Sequence, residues 1–482
     1  MMPQDNDRES CSIEVKGEKQ DNDAPLLRWR RRNSYYYGWL EKIYRFSVRP
    51  GSRVLHVGCE CGDILAAVKP SYGVGIDPDP ESIELAKKRF PHLHFATGDP
   101  HELVLDEHFD YILICNSLGD WRDIQQVFER IRPLTQKRTR VVITYYNYLW
   151  EGALRLASFL RLRRPRSYAN WLPPAEIANL LNLTGFDVVR STSLLMIPRN
   201  IPIIAQFCNY FLSLLPGFRF FNLINLVIAR PTPQAVGEDQ LSVSVVVPCR
   251  NERGNIADAV ERIPMMGRST EIIFVDGNST DGTVEEIQRQ IKAHPERTIR
   301  LLHQTGGIGK GDAVRKGFAA ATGDLLVVQD ADLTAPPEDL PKFFKAFREG
   351  KGEYINGSRL VYPLEKQAMR FLNLLGNKFF GVLFTWLLGQ RFRDTLCGTK
   401  MISKKDYELI VANRSYFGDF DPFGDFDLIF GAVKQNLKIV EVPVTYRART
   451  YGTTNISRFR HGWLLLRMSW IAFRKIKWLG KG

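Results

Sequence analysis

No apolar run in this 482-residue chain is long enough to cross a bilayer unaided. The three candidates, residues 201–217, 379–389 and 463–473, fall short of the roughly 20 residues a spanning helix needs. Each is also interrupted by Pro, Gly, Asn or Arg, so they read as buried or interfacial segments. Cysteine is sparse and scattered: seven residues, of which only Cys59 and Cys61 are close. A C-x-C with no second pair and no histidine nearby is a weak metal signal, and an odd, dispersed set speaks against a disulfide scaffold. A reduced, cytoplasmic setting is therefore expected. The polar, charged N-terminal stretch lacks the apolar centre of a signal peptide. A phosphate loop is lacking too. In "TGGIGKGDAVRKG" (305–317), Gln304 stands where that pattern needs Gly, and Gly311 where it needs Ser or Thr. What remains is a Gly-rich loop opening a helix, with Lys310 near its start.

The composition, 44% apolar and 25% charged, is that of a folded protein, and the length predicts two or three domains. The net charge of +13 asks for an acidic partner such as a phosphorylated substrate or an anionic membrane. The basic residues gather at 28–32, at 161–166 and in the C-terminal tail. Residues 1–33 read as a disordered, charged lead-in. From 34 to 230, strands such as "RVLHVG", "GVGID" and "FDYILICN" alternate with helical stretches, which predicts an open parallel α/β sheet. Residues 231–240 form the one clear linker, with no apolar run, and a second α/β unit follows over 241–455. The last segment, 456–482, reads as a basic amphipathic helix.

Three strands of the second unit end in polar clusters: "VVVPCRNERGN" (245–255), "IIFVDGNSTDGT" (272–283) and "VVQDADLT" (327–334). Ligands of open α/β sheets bind beyond the carboxyl ends of the strands, so three such ends in register make a site. Asp330 and Asp332, one residue apart, offer hard oxygen ligands for Mg²⁺ or Mn²⁺ bridging a diphosphate. Together with "GKGDAVRKGFAAATGD" and "DADLTAPPED", these motifs resemble family 2 glycosyltransferases of the GT-A fold, and most nearly the dolichyl- or polyprenyl-phosphate sugar synthases. The resemblance covers about 241–455. It implies that Pro248, Glu252 and Asp276 hold the nucleoside, with Lys310 near the diphosphate. It also implies that Asp330 and Asp332 take the metal, that Arg359 lies near the phosphates of donor or acceptor, and that Arg449 lies near the diphosphate. Two departures stand out: Gly277 replaces the second aspartate of the usual pair, and Asn455 falls where relatives carry Lys.

A lipid phosphate is already an anionic nucleophile, whereas a hydroxyl acceptor needs a base. Asp425 or Asp427, in "FGDFDPFGDFDLIFGA" (417–432), stands where relatives place that carboxylate, and Asp427 is taken as the candidate. Two segments favour lipid. Asn373, Asn377, Gly381 and Thr385 recur every four residues in 371–388, leaving the rest of that helix apolar. Arg460, Arg467 and Arg474 recur every seven in the Trp-rich 458–478, and both patterns suit helices lying at a bilayer interface.

In the first unit, "RVLHVGCECGDILAAV" (53–68), Asp77, "FATGDP" (95–100) and "FDYILICNSL" (109–118) resemble a class I S-adenosylmethionine-dependent methyltransferase. That resemblance, over about 40–230, implies Gly58 and Gly62 at the amino-acid part of the cofactor, Asp77 at the ribose and Asp99 by the adenine. His56 replaces an acidic residue of the family turn, and Glu60 its middle Gly. The expectation is thus an α/β chain of two Rossmann-like three-layer domains. A sugar would pass from a nucleotide sugar to a polyprenyl phosphate, with inversion, in a protein peripheral on the inner face of a membrane and with no nucleic-acid partner. The alternative is a glycan hydroxyl acceptor, with a methyltransferase-like domain that only docks a partner or lipid.

Overall fold

The computed structural model describes residues 25–160, 162, 170–306, 309–362, 371–416, 424–452 and 458–478. The expectations placed on residues 1–24, on Asn455 and on most of the 161–166 basic cluster fall outside these.

Two seven-stranded sheets carry the fold. The first orders its strands β3-β2-β1-β4-β5-β7-β6, from β1 (Arg53–Val57), β2 (Tyr72–Asp77), β3 (His94–Thr97), β4 (Phe109–Cys115), β5 (Thr135–Tyr146), β6 (Phe186–Leu194) and β7 (Ile224–Pro231). The second runs β10-β9-β8-β11-β13-β12-β14, from β8 (Ser242–Cys249), β9 (Ser269–Asp276), β10 (Thr298–His303), β11 (Leu325–Val328), β12 (Tyr354–Ser358), β13 (Lys400–Ser403) and β14 (Ile439–Pro443). Both have helices on both faces, because strands such as "LLVV" of β11 are buried throughout and need cover on each side.

The sheets are mixed where the alternation predicted parallel strands. β7 runs antiparallel to β5 and β6, and β13 antiparallel to β11 and β12. β6 and β7 need no crossover helix, since an antiparallel neighbour can be joined by a simple return. A second difference lies at 25–33. Pro25–Arg32 is helical instead of part of a disordered lead-in, because Arg30 is anchored by Glu60 at 3.1 Å and Asp63 at 3.2 Å.

The two units share a polar seam. Arg140 of β5 bonds both carboxylate oxygens of Glu353 at 2.8 Å and donates to the Asn436 carbonyl at 2.8 Å. Arg230 of β7, 1% exposed, pairs with Asp187 at 3.0 Å and Glu353 at 3.4 Å, and donates to the Gly350 carbonyl at 2.6 Å. Burial pushes the Glu353 carboxyl up, but Arg140 and Arg230 outweigh it and its pKa is lowered. Phe46 of the first unit lies within the apolar core of the second. Removing one partner of a buried pair such as Arg140–Glu353 typically costs about 3–5 kcal/mol, so the seam is a structural joint.

Among the described residues no helix is long and apolar enough to cross a membrane. The helices Phe371–Leu388 and Arg458–Ala472 each bury one face and expose apolar residues on another. Phe384, Leu387, Leu465 and Met468 are in the core, while Val382 is 73% and Trp463 72% exposed. The small and polar positions of the first helix face inward: Asn377 is buried, Gly381 abuts the backbone of Arg393, and the Thr385 hydroxyl donates to Gly381 and Phe392 carbonyls.

Candidate functional site

In each sheet the chain builds outward in one direction and then returns to the other side of its first strand. The crevice at that reversal lies beyond β1 and β4 in the first sheet, and beyond β8 and β11 in the second.

The second crevice gathers carboxylates and cations from five segments. Strand register places Asp276 opposite Cys249, one residue beyond Pro248, and aligns Val328, just ahead of the aspartates, with Val246. Gln329 is fully buried, and its amide donates to the Ala335 carbonyl at 2.7 Å, which pins the loop that carries both aspartates. That explains a polar residue at the end of an apolar strand. Asp330 pairs with Lys310 at 2.6 Å. Burial pushes its carboxyl up, but Lys310, with Lys400 and Arg359 beyond, outweighs this and lowers the pKa. Lys310 shifts the opposite way: burial disfavours its charge, yet Asp330 and Asp425 raise its pKa overall. Asp332 accepts from the Thr334 backbone and hydroxyl and pairs with Arg449 at 2.5 Å. Arg449 reaches Glu252 at 3.2 Å as well, so the late loop closes over two strand ends at once. The Glu252 carboxyl is raised by burial, which prevails over Arg449 and the Asn255 amide. Asp276, 3% exposed, accepts from the backbone N–H groups of Asn278 and Ser279.

Asp330, Asp332, Lys310, Glu252 and Arg449 thus form one linked cluster, and Pro248 and Asp276 end the neighbouring strands. Arg359 is engaged elsewhere: its guanidinium grips Asp394 through two bonds, at 2.7 and 2.8 Å, and lies over the Tyr446 ring. The first turn of the helix Asp425–Lys434 points its two aspartates apart, since residues two positions apart do not share a helix face. Asp425 meets Lys400 at 3.1 Å beside the cluster, whereas Asp427 turns to Arg414 at 2.8 Å. The carboxylate brought to the site is therefore Asp425, where the sequence reading took Asp427.

The sequence reading passed over "DTLCGTK" (394–400), which supplies Asp394, Gly398 and Lys400. A Cβ at Gly398 would lie 1.9 Å from an oxygen of Asp330, so only glycine lets this backbone pass the carboxylate. The available signal was an acid, a Gly and a Lys clustered just ahead of a short apolar strand. Neither grouping of three metal-ligating side chains nor any larger one occurs among the described residues. The two adjacent aspartates still fit a divalent cation whose other ligands come from a diphosphate and water, the usual habit of Mg²⁺.

The first crevice centres on the turn after β1. Gly58 follows β1 at φ +74, and a Cβ there would lie 2.3 Å from the Ser117 hydroxyl. Gly62, at φ +80, caps the helix Asp63–Ala67. Both oxygens of Asp77 accept backbone N–H groups, from Glu60 at 2.8 Å and Asp79 at 3.0 Å, so the acid holds the turn together. Asp99 caps the turn Pro100–Glu102 and holds His101 at 2.6 Å. Beyond the turn lies a pocket lined by Arg30, Tyr36, His56, Gly58, Asn116 and Tyr146, among others. His56 is 1% exposed and neither ring nitrogen has a hydrogen-bond partner among the described residues. Burial, then the charge of Arg30, lowers its pKa to about 3, so it is neutral at pH 7. An orphaned donor–acceptor and a glycine cradle fit a polar cofactor end. The bridge from Arg30 to Glu60 spans that turn, a contact the sequence did not reveal.

Comparison with known proteins finds a likeness for each unit. Residues 28–191 match the model of a methyltransferase domain, and residues 244–411 that of Glycosyl transferase family 2. One chain thus carries two separate likenesses, the first to a methyltransferase domain and the second to Glycosyl transferase family 2. A dolichol-phosphate mannosyltransferase of Pyrococcus furiosus is 31% identical over 248 residues, 50% of this chain and 65% of that protein. The dolichol-phosphate mannosyltransferase of Saccharomyces cerevisiae is 41% identical over 114 residues, 23% of this chain and 42% of that protein. The chain thus spans less than two-thirds of the length of either. A polyprenol monophosphomannose synthase of Mycolicibacterium smegmatis is 29% identical, over 46% of this chain and 86% of that protein. Among solved structures, an S-adenosylmethionine-dependent methyltransferase from Mesorhizobium loti matches 40% of this chain and 96% of its own, at 17% identity and a TM-score of 0.32.

Proposed function

We propose that the second unit transfers a sugar from a nucleotide sugar to a polyprenyl phosphate, and that the first binds S-adenosylmethionine as a methyltransferase. The observation that carries the first part is the convergence of Lys310 on Asp330 and of Arg449 on Asp332 and Glu252. Each ion pair is a stand-in arrangement: the two cations are placed to move onto a diphosphate, leaving the aspartates to a metal. Asp330 and Asp332 would hold the divalent cation, whose charge would stabilise the leaving nucleoside diphosphate. Glu252, Asp276 and Pro248 would hold the nucleoside at the neighbouring strand ends. The names of the relatives support a polyprenyl phosphate acceptor and make a mannosyl donor the first to try. A phosphate acceptor needs no base, which accords with Asp425 being held by Lys400. Arg359 would act as a positioning residue through Asp394. The exposed apolar faces of Phe371–Leu388 and Arg458–Ala472, with Arg467 and Arg474 exposed alongside, support a site at the inner membrane surface.

In the first unit Gly58, Gly62, Asp77 and Asp99 would receive the cofactor, which would supply the methyl group. Tyr36 and Tyr146, joined by a 3.0 Å hydrogen bond in the same pocket, would shape the acceptor side.

A specific observation favours one other reading. Asp425 sits beside the cluster, so a sugar hydroxyl acceptor would find a base there, once freed from Lys400. The test is transfer of labelled sugar from a panel of nucleotide sugars to polyprenyl phosphate in vesicles with Mg²⁺ or Mn²⁺. Acid-labile labelled lipid, lost in Asp332→Ala, is expected. Metal-dependent nucleotide release without labelled lipid would favour the hydroxyl acceptor, and no turnover with any donor would overturn the assignment.

A further inference from the structure

Four cations meet at the seam without a described carboxylate to balance them. Arg190 of β6 is 7% exposed, forms no ion pair among the described residues, and has a buried Nε with no hydrogen-bond partner. Its side chain lies against Gly389, where a Cβ would come within 3.1 Å, at the end of the helix Phe371–Leu388. Lys477, 9% exposed, lies over the Trp386 ring in the last turn of that helix, 5.3 Å from its centroid. Arg219 donates to the Thr192 hydroxyl at 2.9 Å, two residues along β6 from Arg190. Lys434, at the end of the helix Asp425–Lys434, donates to the Phe46 carbonyl and lies over the rings of Phe46 and Tyr416.

An isolated buried charge is costly, and like charges brought together add to that cost. The helix ends near Gly389 and Lys434 carry partial negative charge that offsets part of it. They supply no acceptor for the Arg190 guanidinium. We propose that Arg190, Arg219, Lys434 and Lys477 form a phosphate-binding site at the seam, with two cations from the first unit, one from the second and one from the C-terminal helical segment, and so complete only in the fused chain. The pKa directions agree with an absent counter-charge. Burial lowers Arg190 to about 10; burial and then Arg190 lower Lys434 to about 8; burial, then Arg219 and Arg190, lower Lys477. Arg190 nevertheless stays charged at pH 7.

The phosphate has two sources, a free anion or a lipid headgroup. The headgroup is favoured by the adjoining surface: Trp478 packs on Phe211, the Trp386 indole bonds the Leu214 carbonyl, and Ile203, Phe207 and Trp470 are exposed there, at 81%, 58% and 53%. This inference is independent of the reaction proposed above.

The experiment compares unfolding midpoints of the full chain in phosphate and in chloride at equal ionic strength, and binding to phosphatidylcholine vesicles with and without phosphatidic acid. Arg190→Leu and Lys477→Met are the variants, either sufficing if the other does not fold. Inorganic phosphate raising the wild-type midpoint by about 3 °C or more, with the rise lost in the variants, establishes the site for the free anion. No rise in phosphate, but phosphatidic-acid-dependent binding that the variants lose at least tenfold, establishes it for the headgroup. The variants should also unfold no earlier than wild type in chloride, because they remove an uncompensated charge. A phosphate effect that survives in the variants and disappears in Arg449→Ala would place it in the glycosyltransferase crevice and overturn the proposal. So would the absence of any phosphate or phosphatidic acid dependence.

Discussion

The two crevices sit at the same reversal in two sheets of the same width, yet they are assembled differently. The second crevice draws on segments up to about 200 residues apart, with Arg449 tied to Glu252 and Asp332, and its charges come in opposed pairs. The first crevice centres on one strand and the turn after it, with Arg30, Tyr36, Asn116 and Tyr146 brought in around them, and its acid, Asp77, is spent on backbone N–H groups 17 and 2 residues away. Its buried histidine, His56, is kept neutral. On the proposed reactions, the second crevice would stabilise a leaving diphosphate and so needs cations held ready by carboxylates. The first would receive a cofactor with its own reactive cation, which needs shape and hydrogen-bond partners more than charge.

The sharpest break in that comparison is Asp332→Ala. Sugar transfer should fall about 10³-fold, the usual size of a lost transition-state charge stabiliser, with binding of S-adenosylmethionine unchanged. Steady-state transfer and calorimetry on one preparation check both halves. Next comes the joint between the units. Arg140→Ala should cost about 3–5 kcal/mol and lower a single shared urea transition, because Arg140 ties β5 to Glu353 and Asn436. Two separate transitions, with only the second displaced, would mean that the units fold independently.

A smaller effect belongs to the first crevice alone. The His56 pKa is about 3 when folded and near 6.5 when unfolded. Between these values the unfolded chain binds the proton and the native one does not, so stability falls as pH falls. The loss approaches about 1.4 kcal/mol per pH unit, and His56→Gln should remove that one-proton slope from urea midpoints measured at pH 6, 5 and 4. Least of all should be Asp425→Asn, expected to lower transfer less than tenfold if the acceptor is a phosphate. A loss of 10²–10⁴-fold would identify Asp425 as a base and the acceptor as a hydroxyl.

Much of this could be read from the chain, and the failures are informative. Strand ends such as "VVQDAD" announce themselves because an apolar run stops in carboxylates, and Asp330, Asp332 and Glu252 did converge. Arg449 was placed near the diphosphate only by resemblance. Its contacts across the crevice depend on the loop after β14 folding back, which no local pattern encodes. The choice between Asp425 and Asp427 turned on which side of a helix faces Lys400, and the helix start was not legible to within a residue. β7 and β13, the strands that make the sheets mixed, were not singled out as strands, and period-two patterning carries no direction. The four-residue recurrence of Asn377, Gly381 and Thr385 did not say which way that stripe faces, since a small polar stripe can pack against backbone as readily as face water.

The most direct test of the two-crevice account is a pair of titrations on one protein, a nucleoside diphosphate with Mn²⁺ and then S-adenosylmethionine, repeated on Asp332→Ala and Asp77→Ala. The account predicts that the first variant loses only the nucleotide and the second only S-adenosylmethionine. Nucleotide binding that survives in Asp332→Ala, or S-adenosylmethionine binding that survives in Asp77→Ala, would contradict it.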